Sequence, residues 1–145
     1  MDNEKATPTS LVVDTSTSPV QVGIPALNSW KALHQVESQA LEGLFSATGR
    51  VLEISGYKIS NINCVYFCEG PGSTLGLRLA AAFVRTIRWS QKSSEFKVFS
   101  YNALDLASIL APQKNAIIQA PFRVGLRFVR ISNIESKNSE KKIIP

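Results

Sequence analysis

Glu69-Gly70-Pro71-Gly72-Ser73-Thr74-Leu75-Gly76-Leu77-Arg78 is the stretch whose reading decides the fold. Before it runs Ile62-Asn63-Cys64-Val65-Tyr66-Phe67-Cys68, which reads as a core strand. After it, Leu75, Leu79, Ala82, Phe83 and Ile87 recur at helical spacing, which predicts a long helix over 73–91. The glycines let the backbone turn sharply without a Cβ clash. Ser73 or Thr74 can cap the helix, and free N–H groups at its start can hold an anion. No Lys-Ser/Thr follows the glycines and no Gly-x-Gly-x-x-Gly is present, so the loop is neither a Walker nor a dinucleotide loop. Two readings stay open from the residues alone: a tight turn, or a loop for a ligand or partner.

Working outward, Leu11-Val12-Val13-Asp14 reads as a short buried strand and 15–19 as a Ser/Thr-rich turn ending at Pro19. Val20, Val22 and Ile24 alternate with Gln21 and Gly23, giving the second arm of a hairpin, and 30–36 suits a third strand. Ser38 is the expected N-cap of a helix whose apolar face is Leu41, Leu44, Phe45, Thr48 and Leu52. Gly43 and Gly49 each weaken that helix by about 1 kcal/mol relative to Ala, so it needs packing to persist. Gly43 and Ala47 lie one turn apart and allow close backbone approach, either to the chain's own sheet or to a partner helix. A short strand at 97–99, a helix over 101–110 stopped by Pro112, and two strands at 116–119 and 124–131 complete the pattern. Crossover helices between strands argue an α/β domain with a mixed sheet. The expected organisation is a disordered tail over 1–10, a lobe over 11–111, further strands over 112–131, and a basic disordered tail over 132–145.

The chain has 145 residues, enough for one domain with a sizeable core, and a net charge of +5. That charge favours an acidic partner over a basic one without marking a nucleic-acid binder. No apolar run approaches the roughly 20 residues a bilayer needs, and the first ten residues lack the apolar core of a secretory signal. A cytoplasmic location with no membrane partner is the expectation. Two cysteines, Cys64 and Cys68, make no disulfide framework.

Asp14-Thr15-Ser16-Thr17 after the first strand, followed in order by Gly70-Pro71-Gly72-Ser73-Thr74-Leu75-Gly76-Leu77-Arg78, resembles the paired signature of the TsaB (YeaZ) family of actin-like ATPase-fold, Gcp-like proteins. The resemblance covers roughly 11–110, more weakly through 131. It departs from the family at Thr74-Leu75, where Phe-Thr is usual. It implies a ribonuclease H-like or actin-like ATPase lobe, with the second lobe largely missing. It implies a non-catalytic scaffold or activator in making the threonylcarbamoyladenosine (t6A) modification of tRNA beside the anticodon. The implied partner is a TsaD-type protein, with a TsaE-type protein joining, and contact through the helices at 38–52 and 73–91. On those helices the candidate interface positions are Leu41, Gly43, Leu44, Ala47, Leu75, Leu79, Ala82 and Arg85. Gly70, Pro71, Gly72, Ser73, Gly76 and Arg78 are the motif loop, with Arg78 bracing the glycines. Homodimerisation through the same helices is the alternative, since Phe122, Leu126 and Phe128 would otherwise seek cover.

Asp14, Thr15 and Thr17 are similar to the first phosphate loop of actin-like ATPases, where an acid positions a divalent cation. Against that stands a turn-capping role for Asp14. His34 is the one histidine and cannot alone supply a closed metal site, and Cys64 and Cys68 share one strand face without further ligands. No metal or cofactor is therefore expected on this chain, with ATP and Mg at most in the partner complex. Arg78, Arg85 and Lys92 fall on one helical stripe beside Arg88, and Arg123 and Arg127 would share a strand face. Such stripes suit solvent, an acidic partner or phosphate, and with few interleaved aromatics tRNA contact is expected to be indirect or weak. The rival readings are a nucleotide-binding enzyme of the actin-like class and a degenerate copy without a pathway role.

Overall fold

The computed structural model describes residues 9–91, 95–113, 115–132 and 142–144, with only the backbone described at 122, 123 and 142–144. Five strands, β1 (Ser10–Asp14), β2 (Val20–Pro25), β3 (Trp30–Val36), β4 (Cys64–Gly70) and β5 (Lys97–Asn102), form one sheet in the order β3-β2-β1-β4-β5. The β1–β2 and β2–β3 pairs are antiparallel, while β1–β4 and β4–β5 are parallel. The parallel pairs need crossovers, which the helices α1 (Ala40–Ser55) and α2 (Thr74–Ser90) provide. This is the mixed α/β lobe that the alternation of strand and helix patterns predicts.

One face of the sheet carries the core. Leu11, Val13, Val20, Val22 and Ile24 alternate out of β1 and β2 onto α1 and α2, where Leu44, Ala47, Val51, Ala80, Val84 and Ile87 meet them. All are buried, and each large aliphatic side chain contributes about 1.5–3 kcal/mol by leaving water. Gly43 belongs to this packing. A Cβ there would stand 3.1 Å from Val20 Cγ2 and 2.7 Å from Ser38 Oγ.

Local chemistry sets the helix ends, in one case against expectation. Ser38 is not the cap of α1. The cap is Gln39, whose carbonyl takes the Gly43 N–H at 2.8 Å, while the Ser38 hydroxyl sits one residue too early and donates to that same carbonyl. Gly56, at φ 73°, ends the helix in the left-handed conformation a glycine adopts freely. Ser73 caps α2 as expected, its hydroxyl accepting from Gly76 N at 3.2 Å. Ser73→Ala is expected to lower unfolding free energy by about 1 kcal/mol, read as a shifted urea midpoint at unchanged slope.

β4 runs two residues later than its apolar run suggests, because its parallel partners start opposite Cys64. β5 extends to Asn102, so the third helix, α3 (Ala103–Leu110), starts later than residue 101, capped by the Asn102 side chain accepting from Leu104 N and Asp105 N. Beyond it, β6 (Ile117–Arg123), β7 (Leu126–Ile131) and β8 (Lys142–Ile144) form a second antiparallel sheet. Residues 124 and 125 are the hairpin turn, with Gly125 at φ 77°, so 124–131 is not one strand and Arg123 and Arg127 lie on successive strands. β8 corrects the expectation of disorder over 132–145: Ile143 registers with Phe128 and the segment pairs with β7. Ser10 likewise already belongs to β1. Of the expected tails, 1–8, 133–141 and 145 lie outside the described residues. An ion pair, Arg130 Nη1 to Asp105 Oδ1 at 2.6 Å, ties β7 to α3. Leu126 and Phe128 are partly covered, and the Phe122 side chain lies outside the described set.

Candidate functional site

The two sequence signatures meet in space. The turn after β1 and the glycine loop before α2 are about 60 residues apart in the chain, yet Ser73 N–H donates to Ser16 O at 2.7 Å and Thr15 Oγ1 donates to Gly76 O at 2.7 Å. The approach requires glycine. A Cβ on Gly72 would fall on the carbonyl oxygen of Ser16, and one on Gly76 on the carbonyl oxygen of Thr15. Gly70 stands at φ 114°, with Leu77 packed over it at 3.2 Å from where a Cβ would lie. Pro71 joins Gly70 through a cis peptide. Leu77, not Arg78, therefore braces the glycines, and Arg78 is exposed on the outer side of α2.

Asp14 closes the same cluster. Its Oδ1 accepts from Ser16 N at 2.9 Å and Ser16 Oγ at 2.6 Å, which is the turn-capping role a carboxylate fills beside a Ser/Thr turn. Its Oδ2 accepts from Tyr101 Oη at 3.0 Å. Burial, followed by the Asp14 charge, pushes the Tyr101 phenol far above its ordinary range, so this hydroxyl stays a donor. Thr15 is buried with its hydroxyl turned inward to Gly76, while Thr17 is exposed. Asp14 is the one carboxylate of this cluster, so a nucleotide-bound divalent cation held here would take the rest of its oxygen shell from phosphate and water. Among the described residues no group of three or more His, Cys, Asp or Glu could hold a metal. Cys64 and Cys68 are free and buried, and burial pushes the Cys68 thiol up.

A second feature lies on the helical side. Between α1 and α2 runs an apolar groove of about 310 Å³. Leu41, Leu44, Phe45, Leu79, Ala82 and Phe83 are among its lining residues. Phe45 meets Phe83 edge-on at 5.8 Å between centroids. Leu41 is 52% and Phe45 60% exposed. The eight candidate interface positions thus divide. Gly43, Leu44 and Ala47 are buried, and Gly43 packs on β2 rather than on a partner. Leu41, Leu75, Ala82 and Arg85 are exposed, and Leu79 is partly so. Arg78, Arg85 and Arg88 all reach solvent from a helix with no acidic residue, and Arg85 sits 5.0 Å over the exposed Trp89 ring. Lys92 lies outside the described residues.

Sequence reasoning passed over Tyr101, Trp30, Leu77 and Phe45's partner Phe83 as site residues. For Tyr101 nothing local marks a contact with a residue 87 positions away.

No family model matches this chain, and no curated protein matches it. Solved structures do. YeaZ from Pseudomonas aeruginosa superposes with a TM-score of 0.76 at 17% identity, over 96% of this chain and 68% of that one. A protein from the same organism, described as uncharacterized with similarity to peptidase YeaZ, gives 0.75 at 19% identity, over 96% and 67%. A putative N-acetylglucosamine kinase from Porphyromonas gingivalis gives 0.52 at 15% identity, over 90% of this chain and 46% of that one. This chain spans about two thirds of the YeaZ chains. No described helix is long and apolar enough to cross a membrane. The mixed five-stranded sheet, its helices and the glycine clasp therefore share the fold of the YeaZ chains, and the likeness extends over 96% of this chain.

Proposed function

We propose that this chain is a TsaB-type scaffold that serves t6A modification of tRNA by pairing with a TsaD-type protein, without carrying out the chemistry itself. The observation that carries the reading is the α1–α2 groove, an apolar strip with Leu41 and Phe45 left in water. Large apolar side chains grouped on one face mark a protein contact more often than a bare surface does. The YeaZ-like fold and the paired signatures are what support a TsaD-type partner. Asp14 supports the non-catalytic part, because its oxygens hold the Ser16 turn and Tyr101. In this reading tRNA meets the complex mainly through the partner, and a TsaE-type protein joins the assembly. The location is the cytoplasm, where tRNA is modified.

Reconstitution tests it. The TsaD-type protein of the same cell, supplied with its substrates and unmodified tRNA, is expected to form t6A substantially faster when this chain is added, as measured by nucleoside mass spectrometry. Equal rates with and without the chain would sink the scaffold reading and favour a degenerate copy.

A further inference from the structure

The face of the five-stranded sheet turned away from α1 and α2 holds a hollow that the scaffold reading does not use. Register places Val12, Gly23, Leu33 and Tyr66 side by side there, with Phe99 beyond Tyr66. α3 packs against β4 and β5 and leaves the β3-β2-β1 half open. The hollow is about 360 Å³, within the range of small-molecule sites. Its wall includes Trp30, Leu33, Tyr66, Tyr101 and Leu106, and Asp14 stands among them.

Two features show that the hollow is built. First, Gly23 makes its floor. A Cβ there would lie 2.6 Å from Trp30 Cζ3 and 3.0 Å from Leu33 Cδ1, so the missing side chain is what lets the indole lie across the strand. Second, the charge at Asp14 has no counter-ion within the described residues, where the ion pairs are Arg50–Glu53 and Arg130–Asp105. Oδ1 takes two bonds from Ser16, but Oδ2 takes one, from Tyr101, and a carboxylate oxygen can accept two. A half-covered carboxylate beside three aromatic rings, in a wall that also carries the neutral amide of Gln21 opposite Asp14 and no second charge, selects positive charge. Cations are drawn both to the carboxylate and to ring faces within about 6 Å. An anion would meet the Asp14 charge in a poorly hydrated place.

We infer that this hollow binds a small organic cation, with an ammonium or guanidinium group on Asp14 and an apolar body against Trp30 and Tyr66. An ammonium needs only a single acceptor and an aromatic wall, and the hollow offers both. The site is separate from the α1–α2 groove, so it stands whether or not the scaffold reading holds.

The test uses fluorescence of Trp30 in the full chain carrying Trp89→Phe, which leaves one tryptophan. The probes are 2-phenylethylammonium, the neutral 2-phenylethanol and the anionic 3-phenylpropionate. The ammonium is expected to bind about tenfold tighter than the alcohol, the carboxylate more weakly than either. Asp14→Asn should bring ammonium and alcohol to within about twofold, and Gly23→Ala should weaken both. If Asp14→Asn does not fold, amide shifts in the unaltered chain decide the matter. With the ammonium they should move at Val12, Gly23, Leu33 and Tyr66. Shifts confined elsewhere, equal binding of the three probes, or a preference that survives Asp14→Asn would overturn the inference.

Discussion

Gly76→Ala is expected to cost about 3 kcal/mol or more of folding stability. The added Cβ would fall on the backbone carbonyl oxygen of Thr15. A flexible side chain could rotate away, but this oxygen belongs to the turn between β1 and β2, whose neighbours Leu11, Val13 and Val20 are fully buried. Either the turn or the start of α2 must move. Either movement breaks the Thr15 Oγ1 to Gly76 O and Ser73 N to Ser16 O bonds together. Gly72→Ala should behave alike, since its Cβ meets the Ser16 backbone. Gly49→Ala provides the opposite sign. Nothing lies within 4 Å of a Cβ there, so the change should stabilise α1 by roughly 0.5–1 kcal/mol. Guanidinium denaturation of the three variants reads all of this. A Gly76→Ala chain within about 0.5 kcal/mol of the parent would show that the clasp does not hold the lobe together.

The clasp also shows where the sequence stopped being legible. The strand at 30–36 and the Ser73-capped helix were readable, because alternation and a cap residue are local signals. The glycine loop was recognisable as a sharp turn. That its glycines exist to admit the Thr15 and Ser16 carbonyls was not, because the contact joins residues about 60 positions apart. The two signatures were matched by resemblance as separate words. The structure makes them one object. Ser38 misled because several polar residues precede α1, and the helix takes its first backbone bond from the Gln39 carbonyl without any side-chain cap. In 142–144 a polar, basic context hid two isoleucines that pair with β7. Tyr101 and Trp30 carried no local mark at all. One locks Asp14 and the other roofs Gly23, and both contacts are set by strand register.

The second large effect concerns the groove. Leu41→Glu together with Phe45→Glu should weaken binding to a TsaD-type partner by more than about hundredfold. Both side chains are more than half exposed in the isolated chain, so folding should change little. In a complex they would be buried, and two unpaired carboxylates would enter an apolar strip. Calorimetric titration of partner into parent and variant separates binding loss from unfolding, with circular dichroism confirming the fold. The same substitutions in Gly43 or Ala47 would be uninformative, since both face the core.

Everything in the scaffold reading rests on that pairing. The most direct test is the solution mass of this chain, of its TsaD-type protein, and of their mixture at micromolar concentration. The account predicts a mixture species whose mass is the sum of one copy of each. It also predicts that this species disappears with the Leu41→Glu, Phe45→Glu variant. Two unassociated species, or a homodimer of this chain that persists unchanged in the mixture, would contradict it.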